Sequence, residues 1–235
     1  MNSQNKTKAN GNVKLKVVSL NVRGLRNRKK RRSLLYFFKK EKFDIVCLQE
    51  TYLTKNDLHL IDREWGSTYH FSDGTHNSKG LLTLFNSNLK FNDLSLVMKN
   101  ERVIVSKIVI DENVLTFVNV YAPCIQSEKS HFLDNLTSWV LHESEAVNQV
   151  VLGDFNIVAN NNLDIISGEK HSEKIVKSFN IFMSDLSLVD VWREKYGQKK
   201  EFSWSRETPY SARRLDYILT SETLFYQHFL HSHRT

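Results

Sequence analysis

The sequence predicts an α/β protein in which two antiparallel-rich sheets pack together with helices outside. Three observations lead there. Short runs rich in Val, Ile and Leu recur along the chain, as in Val150-Val-Leu152. Residues 29–40, 127–143 and 172–186 carry apolar side chains at helical spacing. Val103–Ile110 and Leu115–Val120, parted by a short polar turn, read as a hairpin. The 235 residues, 40% of them hydrophobic, suffice for one large domain, and no linker divides them.

Taken in order, residues 1–12 are polar and lack the apolar segment of a secretory signal, so they read as a disordered leader before a domain spanning 13–235. Lys14–Leu20 is a strand that runs into Asn21. In the helix at 29–40, Leu34, Leu35, Phe37 and Phe38 form the apolar set, and the basic residues are expected to face outward. Phe43–Gln49 is a strand ending at Glu50. The segment around Trp65 carries no clear pattern. Residues 72–80 read as a turn-rich loop and 81–85 as a strand. Asp111-Glu-Asn113 forms a three-residue loop in the hairpin, whose second strand ends at Tyr121. Phe132, Leu133, Leu136, Trp139 and Val140 give the next helix a broad apolar face. Ile175, Val176, Phe179, Phe182, Met183 and Leu186 do the same for the last one. Short strands at 202–205 and 213–220 close the chain.

Composition narrows the function classes. No apolar run approaches the length of a membrane span, so no membrane partner is expected. Two cysteines, Cys47 and Cys124, make neither a disulfide framework nor a zinc-ligand set and read as reduced thiols. The net charge of +7 is uneven: residues 1–42 hold 14 of the 33 Lys and Arg but one of the 26 Asp and Glu. Such a segment suits docking to a polyanion in a salt-dependent way; a solvated helix face or a localisation signal reads equally well from charge alone.

Residues 150–156, Val-Val-Leu-Gly-Asp-Phe-Asn, organise the chemistry. Side chains alternate along a strand, so Asp154 and Asn156 point the same way at its end. One is a candidate base or metal ligand, the other a group that orients a phosphate or a water. A plain turn after a strand would also favour Asp and Asn. Other strands deliver Asn21, Glu50 and Tyr121 to their ends in the same manner, and Asp216 lies within the apolar 213–219 segment. Strand ends of this kind share a rim in many folds, and a site on that rim is the expectation.

Asn21-Val-Arg-Gly-Leu25, Leu48-Gln-Glu-Thr51, Val118-Asn-Val-Tyr-Ala-Pro123, Gly153-Asp-Phe-Asn156 and Arg214-Leu-Asp-Tyr-Ile218 occur in the order and rough spacing of the endonuclease/exonuclease/phosphatase superfamily, which the chain resembles over nearly its whole length. Cys47-Leu-Gln-Glu-Thr51 and Gly153-Asp-Phe-Asn-Ile-Val158 look most like the apurinic-type endonuclease domain of non-LTR (LINE, L1/Tx1-like) retrotransposons. The resemblance implies a four-layer α/β sandwich and hydrolysis of a DNA phosphodiester with Mg²⁺, for which Mn²⁺ could substitute. It makes Glu50 the metal ligand, since magnesium keeps waters and one carboxylate can suffice. It makes Asp154 the group that orients and deprotonates water, Asn21 and Asn156 positioning groups, and Tyr121 a donor to phosphate or leaving group. Asp216 belongs to the same catalytic set, and Arg23 and Ser203 lie at the phosphate.

Two departures stand out. Repair relatives usually have an acidic residue where this chain has Arg23, which counts against an abasic-site repair enzyme. The Asp216 equivalent usually pairs with a histidine in a downstream Ser-Asp-His motif, yet the sequence stops at Thr235 without one, and His231 and His233 arrive too early. A domain lacking its last strand is therefore expected, with weak or absent turnover. The resemblance implies nicking that leaves a 3′-hydroxyl for target-primed reverse transcription, with double-stranded DNA and a reverse transcriptase of the same polyprotein as partners and the nucleus as the place of action. A repair endonuclease and a catalytically dead DNA-binding module are the rivals.

Overall fold

A computed structural model describes residues 14–143 and 148–228. The leader at 1–12, together with His231 and His233, lies outside the described residues.

The first sheet contains β1 (Val17–Asn21), β2 (Ile45–Gln49), β3 (Tyr69–Gly74) and β4 (Lys79–Phe85), in the order β1-β2-β4-β3. β1 and β2 are parallel, and the other pairs are antiparallel. The chain then passes through β5 (Asp93–Lys99), β6 (Val103–Ile110), β7 (Asn113–Tyr121), β8 (Gln149–Asp154), β9 (Ile165–Ile166), β10 (Leu188–Asp190), β11 (Trp204–Arg206), β12 (Ser211–Arg213) and β13 (Asp216–Ser221). Six of these form a second sheet, β10-β13-β8-β7-β6-β5, and three short ones form a third, β11-β12-β9.

Helices α1 (Arg28–Lys40) and α2 (Leu58–Trp65) cover the first sheet; α3 (Gln126–Glu143) and α4 (Glu173–Asp185) cover the second. Strand alternation builds the layers. On β2, Val46 and Leu48 pack with Leu35 and Phe38 of α1, while Ile45 and Cys47 turn to the other sheet. On β8, Val151 packs toward Leu136 and Phe179 of the helices, while Val150 and Leu152 meet the first sheet. The result is the four-layer sandwich, with a mixed second sheet because β7 and β8 run parallel across α3. Two short helices, α5 (Val191–Tyr196) and α6 (Glu222–His228), complete the chain.

Several boundaries differ from the sequence reading. The hairpin loop is two residues, not three: Asn113 pairs with Ile110, and Asp111 and Glu112 take positive φ values of 47° and 72°. This is the two-residue turn whose twist matches its strands. The segment around Trp65 is α2, stopped by Gly66 in the left-handed region. Residues 213–220 do not form one strand, because Arg214 and Leu215 separate β12 from β13. The basic face of α1 is not wholly outward either. Arg31 is 1% exposed, donating through Nε and Nη2 to Glu64 at 2.8 and 3.0 Å and through Nη1 to Leu25 O.

The sheets are joined by polar side chains as well as apolar ones. Gln49 Nε2 donates to Asn119 Oδ1 at 2.8 Å, and Asn119 Nδ2 reaches Thr83 Oγ1 at 3.2 Å. These bonds fix the two sheets in register directly beneath the strand ends where the candidate site lies.

Candidate active site

Five strands bring polar residues to one rim. Asn21 ends β1, Glu50 follows β2, Tyr121 ends β7, Asp154 ends β8 and Asp216 begins β13. Parallel β7 and β8 place Tyr121 beside Asp154, and antiparallel β13 places Asp216 opposite Asp154. At the rim itself, Asn21 joins the two sheets. Its Nδ2 donates to Glu50 Oε1 and to Asp154 Oδ2, each at 2.9 Å, and its Oδ1 accepts the Arg23 backbone N–H at 3.2 Å.

The backbone here is turned by unusual torsions. Arg23, Glu50, Tyr52 and Asn156 have φ of 44°, 52°, 56° and 49°. Non-glycine residues rarely adopt this region, and such strain persists where surrounding contacts enforce it. Gly153 serves a different need. A Cβ there would lie 1.9 Å from Val120 O, so only glycine lets β8 approach β7 one residue before Asp154.

Each ionisable group has a distinct environment. Burial opposes ionisation of Glu50, yet the hydroxyls of Tyr52 and Tyr121, the Asn21 amide and nearby Arg23 hold its carboxyl below the usual range. Asp154 is 6% exposed. Burial pushes its carboxyl up, opposed by the bonds from Asn21 and from the Asn156 backbone. Burial and then the charge of Asp154 lift Asp216 to about 7, against a hydrogen bond from Ser203. Burial, Cys124 and the bond to Glu50 push the Tyr121 phenol far above its ordinary value, which keeps it a proton donor.

The structure brings Asn21, Glu50, Tyr121, Asp154 and Asp216 together and gives the remaining predicted residues specific places. Asn156 donates its amide N–H to Asp154 Oδ1 at 2.9 Å and its side-chain Nδ2 to Ala122 O at 2.9 Å. Ser203 Oγ accepts the N–H groups of Leu215 and Asp216 at 3.0 and 3.1 Å, so it holds the start of β13. Arg23 is exposed and its charge acts on Glu50, Asp154 and Asp216.

Sequence reasoning missed Tyr52, Lys129 and Arg102. Tyr52 donates to Glu50 Oε2 at 2.6 Å; left-handed torsions at both residues bring them together, and strand alternation does not forecast that. Lys129 Nζ donates to Asn156 O at 2.6 Å from the first turn of α3, and burial lowers its ammonium to about 8. A lysine on the apolar side of a helical pattern was the available signal. Arg102 places its guanidinium 5.4 Å from the Tyr121 ring centre.

The convergent donors are oxygens of Glu50, Asp154, Asp216 and the asparagine amides, a set that suits a hard cation such as magnesium. Among the described residues no three His, Cys, Asp or Glu form a full metal cage.

Paired mixed sheets whose strand ends meet in carboxylates, amides and a phenol define a hydrolase of phosphate esters. The chain belongs to the endonuclease/exonuclease/phosphatase family, whose model matches residues 18–233. It is 26% identical over 216 residues to the Transposon TX1 uncharacterized 149 kDa protein of Xenopus laevis; the match covers 89% of this chain and 16% of that protein. Among solved structures it resembles an AP endonuclease from Archaeoglobus fulgidus (TM-score 0.69, 22% identity, covering 90% of this chain and 88% of that one). It also resembles the 3′-5′ exonuclease NExo of Neisseria meningitidis (0.70, 20%, 89% and 88%) and the AP endonuclease LMAP of Leishmania major (0.69, 18%, 88% and 79%). At these identities the likeness establishes the fold.

Proposed function

We propose that the chain is a Mg²⁺-dependent DNA endonuclease domain of a non-LTR retrotransposon. It nicks one strand and leaves a 3′-hydroxyl for target-primed reverse transcription. The observation that carries the reading is Asn21, whose single amide nitrogen ties Glu50 to Asp154. That bond joins the expected cation ligand to the expected base across the two sheets.

The roles follow from the environments. Asp154, buried and raised in basicity, accepts the proton of the attacking water. Asn21 and Asn156 each donate to one of its two oxygens and so fix the orientation in which the carboxylate meets the water. Tyr121, a phenol that keeps its proton, donates to a phosphate oxygen or the departing 3′ oxygen. A cation at Glu50 would neutralise charge building on the non-bridging oxygens. Family members are generally divalent-metal dependent, which accords with this donor set. Water adds to phosphorus, the P–O3′ bond breaks, and the strand ends in a 3′-hydroxyl and a 5′-phosphate.

Double-stranded DNA is the substrate this surface suits. Beside the site, an open groove of about 620 Å³ is lined by Arg23, Arg26, Lys29, Lys30, Tyr52 and His76. Cationic groups there would replace counterions along a phosphate backbone. The likeness to a transposon protein accords with a transposon setting; a reverse transcriptase in the same longer polypeptide and action in the nucleus belong to the proposal.

Nicking of supercoiled plasmid with Mg²⁺, with Mn²⁺ or with EDTA tests the reading, beside Asp154→Ala and Glu50→Ala. Cation-dependent nicking lost in both variants is the expected result. Nicking that survives either substitution overturns the site. Strong preference for an abasic duplex would point to repair, and cation-independent binding without nicking to a DNA-binding module.

A further inference from the structure

We propose that Lys129 is a positioning residue for this reaction, its buried ammonium clamping the Asn156 carbonyl and so fixing the loop that aims Asp154. The inference rests on the nuclease reading above.

Lys129 is 3% exposed and makes no ion pair among the described residues; its hydrogen bond runs to Asn156 O at 2.6 Å. Taking an ammonium out of water without pairing it to a carboxylate opposes folding. A methionine of similar length would fill the same space without that cost. The position of the charge, rather than the packing, is what the lysine contributes.

What the charge holds is a strained turn. Asn156 has φ of 49°, and this torsion turns its carbonyl toward the first turn of α3. The same residue donates its backbone N–H to Asp154 Oδ1 and its Nδ2 to Ala122 O, while Ala122 N–H donates to Asp154 O. Without the clamp, relaxation to a right-handed torsion would swing the N–H away from Asp154. The carboxylate would then keep only the Asn21 donor. Because Lys129 is buried, it cannot touch DNA, and its loss should leave substrate binding alone.

The test uses the full chain as wild type, Lys129→Met and Lys129→Arg, with kcat and KM for plasmid nicking in Mg²⁺ and hydrogen exchange of the Asn156 amide. We expect kcat to fall about tenfold to a hundredfold in Lys129→Met with KM within about twofold. Lys129→Arg should recover most of it. The Asn156 amide should exchange at least about tenfold faster in Lys129→Met. If that variant does not fold, Lys129→Gln, polar but too short to reach the carbonyl, carries the same comparison. A folded variant with kcat within about twofold of wild type, or one that changes KM alone, overturns the proposal. If wild type does not nick, the nuclease reading falls, and the Asn156 exchange alone decides: acceleration sustains the clamp and unchanged exchange removes it.

Discussion

Asp154 and Asp216 are register partners across β8 and β13, one carboxylate buried and the other half-buried at the same level of the rim. Burial and the Asp154 charge lift Asp216 to about 7, so near neutrality the pair shares a deficit of compensation. The folded state then binds a proton that the unfolded chain has released. Stability from this group is complete below about pH 4 and is lost as pH rises through about 7. Replacing Asp216 by Asn removes the titration. In cation-free buffer, the stability of Asp216→Asn relative to wild type should be greater at pH 8 than at pH 4, by on the order of 3 kcal/mol. Denaturant melts at the two pH values measure it, and equal gaps would show that Asp216 titrates normally.

Asn21 supplies one donor to each of two carboxylates, and alanine would remove both at once. Glu50 would keep Tyr52 and Tyr121, while Asp154 would keep only the Asn156 backbone. The damage should fall on the base, with kcat for nicking reduced about a hundredfold. Asn21→Asp should not restore it, because a third carboxylate between the two repels both. Single-turnover nicking by the two variants checks this; recovery in Asn21→Asp would mean that the position serves the cation rather than the carboxylates.

Gly153 precedes Asp154, and its added Cβ would meet Val120 O at 1.9 Å. Backbone cannot yield as a flexible side chain would, so β8 must separate from β7. Gly153→Ala should cost about 3 kcal/mol or more, seen as a lower denaturation midpoint. Gly197→Ala provides the contrast, since nothing lies within 4 Å of its Cβ and only the φ of 55° opposes it. A Gly153→Ala midpoint no lower than that of Gly197→Ala would show that the strands are not so closely held.

Much of the layering was legible because it rests on local periodicity. The apolar sets of α1, α3 and α4 were visible at helical spacing, as were the buried strands β2, β7 and β8. β5 was not, because its half-exposed Asp-Leu-Ser-Leu-Val-Met-Lys pairs with only one neighbour among the described residues and needs no continuous apolar run. At the site, residues on strand ends could be read from alternation. Tyr52 and Lys129 could not: one depends on two left-handed torsions and the other on a helix meeting a loop 27 positions away. The resemblance puts Ser203 at the phosphate; what the structure shows is its hydroxyl fastening the backbone at Leu215 and Asp216, a use that sequence spacing does not reveal.

Arg31 illustrates how charge counts mislead. It lies in the densest basic stretch of the sequence, Arg26 to Arg32, yet its guanidinium is buried under α1 and forked onto Glu64. Neighbours Arg28, Lys29 and Arg32 are exposed and free to face a polyanion. Arg31→Met should therefore leave Glu64 only the more distant Arg63, at 3.7 Å, and destabilise the domain by about 2 kcal/mol. Adding Glu64→Leu should recover most of that loss, because two apolar groups need no compensation. Arg28→Ala should do the reverse, leaving the melt unchanged and flattening the salt dependence of DNA binding by about one unit of slope. Denaturant melts together with DNA titrations over a range of salt separate the two kinds of arginine. If Arg31→Met reduced the salt slope while the melt stayed in place, its charge would belong to the DNA surface and the buried pair with Glu64 would not form in solution.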